Sequence, residues 1–189
     1  MLARWHSPKH GLVSPDVFIP IAEEMDLIAP LSERLIRLAL IDARSWAPHL
    51  TLSVNISPVQ LRDPWFAQKI LQMLVETGFP PQRLELEITE SCLHENIGAV
   101  RAIVTSLRNQ GIRISLDDFG TGYSSISQLR MLTFDRLKID RSFVAELAAN
   151  ANGAEMIEAI ISLGRSVQLP ITAEGVESEA QAAALASWG

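Results

Sequence analysis

An alternation that runs along the whole chain does most to restrict its fold: short β-rich apolar runs, each closed by a carboxylate, amide or ammonium, separated by segments with helical spacing. The β-rich runs are residues 50–56, 84–88, 112–116, 136–139 and 169–173, and residues 2–5 read as the tail of a sixth strand. Between them, helices are expected after Ser14, where Pro15 and Asp16 make a good first turn, and over 31–46, 65–77, 98–110, 124–131, 154–167 and 178–188. Pro20 is expected to limit or kink the first of these. In the second, Leu31, Leu35, Leu38 and Ile41 make one apolar face. Alternation of this kind implies parallel strands joined by right-handed crossovers, in either an open doubly wound sheet or a β/α barrel.

The residues that close the strands are Asn55, Glu87, Asp117 with Asp118, Lys138 and Glu174. Each alone fits a solvated loop. A β/α barrel would gather them around one mouth, at the end where barrel active sites are built. The recurrence over consecutive units favours a shared site, with structural ion pairing as the main alternative.

The densest of these strand ends is Ile-Ser-Leu-Asp-Asp-Phe-Gly-Thr-Gly-Tyr-Ser-Ser, residues 114–125. Its two adjacent carboxylates pass straight into a glycine-containing loop. Asp and Gly are common turn formers for local backbone reasons, so the stretch by itself fits a polar turn. Paired acids beside a buried strand instead require a cation or several hydrogen-bond donors to offset their burial.

Charge and composition narrow the chemistry. A formal net charge of -6 argues against a nonspecific grip on DNA or RNA, which needs a basic stripe, but leaves room for a small phosphorylated ligand held by local cations. The single cysteine, Cys92, excludes a disulfide framework and a thiolate zinc site. His6, His10, His49 and His94 have no metalloenzyme spacing. Oxygen donors without a His or Cys cluster suit magnesium or manganese better than zinc. Two such ions about 3.5–4 Å apart can activate a water and stabilise an in-line phosphoryl displacement. Lys138, surrounded by acids, would keep its ammonium and act electrostatically rather than as a base. With no apolar run of spanning length, the chain reads as a cytoplasmic domain, although a longer protein could be membrane-anchored by other segments.

Taken together and in order, the stretches LARW, SPDVFIPIAEE, VNISP, LELEITES, LDDFGTGYSS, LKIDRSF and AEGVE resemble the EAL-domain family of bacterial cyclic di-GMP phosphodiesterases, from residue 2 to about residue 180. The resemblance implies a TIM-like β/α barrel that hydrolyses cyclic di-GMP to linear pGpG with magnesium or manganese, in a two-metal site. It implies Asn55, Glu87, Asp117, Asp118 and Glu174 as metal ligands and Lys138 as the residue assisting the attacking water. Glu90 would organise the loop after Asp118, Arg4 would face a substrate phosphate, and Glu177 would lie near the substrate. It also implies a homodimer formed through the loop after Asp118, with GGDEF or sensory domains elsewhere in a full-length protein.

Leu2 matches the leucine of the family's signature, whose glutamate, a metal ligand, would fall before Met1. The first strand of the family barrel would lie upstream and the last, with its Gln-Gly motif, beyond Gly189. Residues 1–189 are therefore expected to form an EAL domain truncated at both ends, with six of eight strands and impaired turnover. Two other roles fit the resemblance: a receptor that captures cyclic di-GMP without cutting it, and a dimerisation module. Degenerate members usually lose the DDFG acids or other ligands, and the presence of Asn55, Glu87, Asp117, Asp118 and Lys138 favours the enzyme.

Overall fold

The computed structural model describes residues 1–93, 97–120, 129, 131–147 and 151–188. Two short strands, β1 (Trp5–Ser7) and β2 (Gly11–Val13), come first, followed by helices α1 (Pro15–Glu24) and α2 (Ile28–Ala43). The chain then alternates: β3 (Leu52–Ile56), α3 (Phe66–Thr77), β4 (Leu84–Thr89), α4 (Ile97–Asn109), β5 (Arg113–Phe119), β6 (Arg136–Ile139), α5 (Arg141–Glu146), α6 (Ala151–Ser166), β7 (Ile171–Ala173) and α7 (Glu179–Trp188). Strands β3 to β7 form one parallel sheet in sequence order, the arrangement of a TIM-like α/β fold, and residues of α3, α4 and α6 join one core with it.

The two faces of that sheet differ chemically. Leu52, Val54, Ile56, Leu84, Leu86, Ile88, Ile114, Leu116, Leu137 and Ile139 alternate onto the helix-covered side and join Ile36, Leu40, Ile70, Leu74, Ile103 and Leu107 in the main core. The intervening positions, Asn55, Glu85, Glu87, Arg113, Ser115, Asp117, Arg136 and Lys138, belong to the other face. A barrel interior is ordinarily filled by branched apolar side chains. Here it is ionic, so these strands specify a charged concave surface.

Three expectations need correction. Residues 2–5 do not form a strand of the parallel sheet: Leu2 is exposed, and Trp5 begins an antiparallel hairpin, pairing with Val13. Five parallel strands are therefore present among the described residues. The Met1 amino group does reach the Ser53 carbonyl, so the N-terminus lies beside β3 without strand pairing. Helix α2 is rotated from the expected face. Ile28, Ser32, Ile36, Leu40 and Ala43 are buried, while Leu38 and Ile41 point outward. Finally, α1 runs through Pro20 to Glu24 and stops where Asp26 takes a left-handed φ of 56°. Ser14 is at the N-cap position, but its hydroxyl donates to Asp16 (3.3 Å) instead of capping the helix.

Strand β5 is longer than its apolar run, continuing through both aspartates to Phe119. Helix α5 was not expected; Asp140 starts it by accepting the Ser142 N–H (2.9 Å). The helix expected over 124–131 lies mostly outside the described residues, although positions 129 and 131 are helical. No helix among the described residues is long and apolar enough to cross a membrane.

Candidate active site

Strand register places the polar side chains in layers. Glu85, deep in the sheet, is 5% exposed and meets two cations, Arg113 of the adjacent strand β5 at 3.8 Å and Arg136 of β6, one strand further, at 3.5 Å. One step toward the carboxyl ends, Asn55 is in register with Glu87. Lys138 Nζ sits between Glu87 Oε1 (2.9 Å), Asp117 Oδ1 (3.1 Å) and Glu174 Oε1 (2.5 Å). The ends of four consecutive strands, β4 to β7, thus converge on one ammonium.

Burial decides the electrostatics of this cluster. Desolvation works to lower the Lys138 pKa, but its bonds to Glu174 and Glu87 outweigh that and raise it. Burial raises Glu87 despite the opposing pull of Lys138. Lys138 is therefore a fixed cation near neutral pH, and abstracting a proton is not a role open to it.

Adjacent strand residues normally face opposite sides of a sheet, which would send Asp117 and Asp118 apart. The pairing of β5 with β6 shifts register between Leu116 and Phe119, and Asp118 takes a φ of 55° inside that irregularity. The result is that both carboxylates line the same cavity. A non-glycine residue in the left-handed region costs of order 1–3 kcal/mol and is often found at functional sites. Asp118 is pushed up to about 6, first by burial and then by the charges of Asp117, Asp140 and Glu174.

The loop after Asp118 begins under a specific restraint. Glu90, 2% exposed on the 3-10 turn that follows β4, accepts the Gly120 N–H at 3.1 Å. Gly120 has a φ of +97°, a conformation that favours glycine, and a Cβ there would come 3.0 Å from the Phe143 ring, which would have to give by a few tenths of an ångström. Residues 121–128, through which a homodimer is expected from the sequence, lie outside the described residues.

The cavity measures about 1080 Å³, large enough for a ligand the size of a dinucleotide. Asn55, Asp117, Asp118 and Glu174 line it, as do Arg4 and two residues the sequence reading did not single out, Asp140 and Arg141. Arg4 is exposed and donates to the Ala3 carbonyl at 3.0 Å. Glu177 is exposed beyond β7 and is not on the cavity wall; its backbone N–H donates to Gln181 Oε1 at 2.8 Å. Asp140 and Arg141 had a signal in Lys-Ile-Asp-Arg-Ser, a strand end followed at once by an N-cap. The charged layer around Glu85 also had one, the period-two alternation of LELEIT and RISLDD.

The donors are all oxygen, which suits a hard divalent cation. Their present arrangement is centred on Lys138, and no three His, Cys, Asp or Glu side chains among the described residues converge on a common metal position. The oxygen chemistry of the donors fits such an ion: Asn55, Asp117, Asp118 and Glu174 line the cavity, while Glu87, which is not on its wall, is held together with Asp117 and Glu174 by the lysine.

Comparison with known proteins gives this constellation a family. The EAL-domain profile matches residues 1–189. An uncharacterized signaling protein of Caulobacter vibrioides is 43% identical over 180 residues, 95% of this chain and 22% of its own length. The bifunctional diguanylate cyclase/cyclic di-GMP phosphodiesterase MucR of Pseudomonas aeruginosa is 39% identical over 95% of this chain and 27% of its own length. The chain thus spans roughly a quarter of these curated relatives. A solved structure of the PaMucR phosphodiesterase in complex with c-di-GMP superposes with a TM-score of 0.95 at 39% identity, covering 100% of this chain and 78% of that one. The layered polar strand ends, the fold and these matches agree, and the chain belongs to the EAL-domain family.

Proposed function

We propose that this chain is the catalytic part of a metal-dependent phosphodiesterase that hydrolyses cyclic di-GMP to linear pGpG. The observation that carries the reading is the convergence of Glu87, Asp117 and Glu174 on Lys138, beside Asn55 and Asp118 on one cavity. A purely structural ion network would not require a strained Asp118 on the cavity wall. The choice of substrate is supported by MucR, which is named a bifunctional diguanylate cyclase/cyclic di-GMP phosphodiesterase and whose structure is a c-di-GMP complex.

Asn55, Glu87, Asp117, Asp118 and Glu174 would hold one or two magnesium or manganese ions. Bound there, such ions activate a water and neutralise charge on a phosphodiester. Lys138 fixes positive charge beside the acids, orients the attacking water and stabilises the charge that develops on phosphate oxygens. Arg4 and Arg141, both on the cavity wall, are placed to pair with the phosphates of the ligand. Glu90 holds the start of the loop after Asp118 through Gly120, which keeps both aspartates in place.

The test uses the protein with its natural flanking residues, incubated with cyclic di-GMP and magnesium or manganese and followed by chromatography. pGpG should form, should vanish with EDTA, and should fall by at least about a hundredfold in Asp117→Asn. Binding of cyclic di-GMP by calorimetry without pGpG would replace this reading with a receptor.

A further inference from the structure

Helix α1 presents Asp16, Ile19, Pro20 and Glu23, spaced by one helical turn, to the same cavity as the catalytic acids. Glu23 ends this face. Its Oε1 accepts the Ser57 hydroxyl at 2.6 Å, and Ser57 stands two residues beyond Asn55. The remaining polar groups of Ser57 are also engaged: its Oγ accepts the Val59 N–H (3.2 Å), and its N–H donates to Gln60 Oε1 (3.2 Å). Gln60 is itself 4% exposed, so this capping box is anchored in the core. The hydroxyl proton of Ser57 is committed to Glu23, the bond that links the turn to α1. The Glu23 carboxylate also lies near the end of β4, since it adds a smaller upward push to a Cys92 thiol raised mainly by burial.

We propose that Glu23 is a positioning residue that clamps the cavity-facing helix α1 to the strand end carrying Asn55. The inference rests on the phosphodiesterase reading. The bond couples two walls of the cavity: one formed by Asp16 and Ile19, the other by the Asn55 amide. With the clamp intact, a ligand seated against α1 meets Asn55 in a fixed place. Without it, the turn after β3 keeps its capping box but loses the side-chain bond that ties it to α1, and Asn55 shifts relative to the bound phosphodiester. Misplacement of a contacting group lowers the rate of the bound complex more than its formation.

The experiment compares Glu23→Ala, Glu23→Gln, Ser57→Ala and the Ala/Ala double variant in the magnesium-loaded protein. Glu23→Ala should lower kcat about tenfold while KM changes less than about threefold, because a hydrogen bond to a charged acceptor is lost at one position only. Glu23→Gln keeps an acceptor oxygen and should recover to within about threefold of wild type. Ser57→Ala, which also removes the Oγ acceptor of the Val59 N–H, should lower kcat at least as much as Glu23→Ala, and the double variant should be no worse than Ser57→Ala alone, as expected for two ends of one bond. Losses that multiply in the double variant, failure of Gln to rescue, or a lowered Tm with unchanged kcat would each overturn the clamp. A second readout does not depend on turnover: the side-chain amide signals of Asn55 should move by NMR in Glu23→Ala and Ser57→Ala. Unmoved Asn55 signals overturn the clamp even in a protein that makes no pGpG, whereas moved signals without any product leave it standing and reject the phosphodiesterase reading alone.

Discussion

Replacing Lys138 with methionine removes the one cation that three carboxylates share. Glu87 and Asp117 side chains are only 9% and 11% exposed, whereas that of Glu174 is 40% exposed and can be solvated instead. At about 3 Å and an effective dielectric near 20, each attraction is worth roughly 5 kcal/mol before desolvation is subtracted. Removing one partner of a buried pair costs about 3–5 kcal/mol, because the other is left charged and unpaired. For a chain of this size, that lowers Tm in EDTA by about 6–20 °C. The loss has a sign with pH. Glu87 is already raised in the folded protein, so folding favours its protonated form, an advantage complete below the unfolded pKa and lost as pH rises through the folded one. Without Lys138 that rise is larger, so the gap between variant and wild type should narrow from pH 8 to pH 5. Added magnesium should narrow it too, by supplying another cation. Differential scanning calorimetry in EDTA at both pH values is the assay. Equal stability of Lys138→Met and wild type at pH 8 would refute a lysine-centred cluster.

Three further outcomes are expected. Cation affinity, measured by calorimetric titration of magnesium or manganese, should fall as pH drops through about 6, where Asp118 takes up a proton; the metal-free protein should show the reverse, losing Asp118's contribution to stability as pH rises through that value. Glu90→Ala deprives the Gly120 N–H of its acceptor and should lower metal affinity or kcat about tenfold or more, with a smaller effect on stability; a fall in Tm alone would make the contact structural. Arg108→Ala breaks a bidentate pair with Asp135 (2.8 and 3.1 Å), which also accepts the Ile114 N–H, and should cost about 1–2 kcal/mol by urea denaturation while leaving kcat unchanged.

Much of the site was legible because a parallel strand buried on its helix side must announce where it ends. Asn55, Glu87, Asp117, Lys138 and Glu174 each interrupt an apolar run, and the topology then brings those interruptions together. What sequence could not show is that Asp117 and Asp118 face one cavity, since that depends on an irregular register between β5 and β6. The face of α2 was misread because Leu31, Leu35, Ile36, Leu38, Leu40 and Ile41 surround the helix, so spacing alone permits several stripes; the sheet chose Ile36 and Leu40, and the cavity took Leu31 and Leu35. The hairpin of β1 and β2 has strands of three residues each, too short for a period-two signal, and the turn residues Ser7 to Gly11 were the only cue. Five strands rather than six follow from the same segment. The ionic layer of Glu85, Arg113 and Arg136 is readable only when the polar positions between the apolar ones are followed as a face of their own.

Hydrolysis in water enriched in oxygen-18 tests the central claim most directly. If water attacks phosphorus at this site, mass spectrometry of the product should find pGpG with one heavy oxygen on its terminal phosphate, formed only when magnesium or manganese is present. Unlabelled pGpG, or cyclic di-GMP recovered intact from a protein that binds it, would contradict the account.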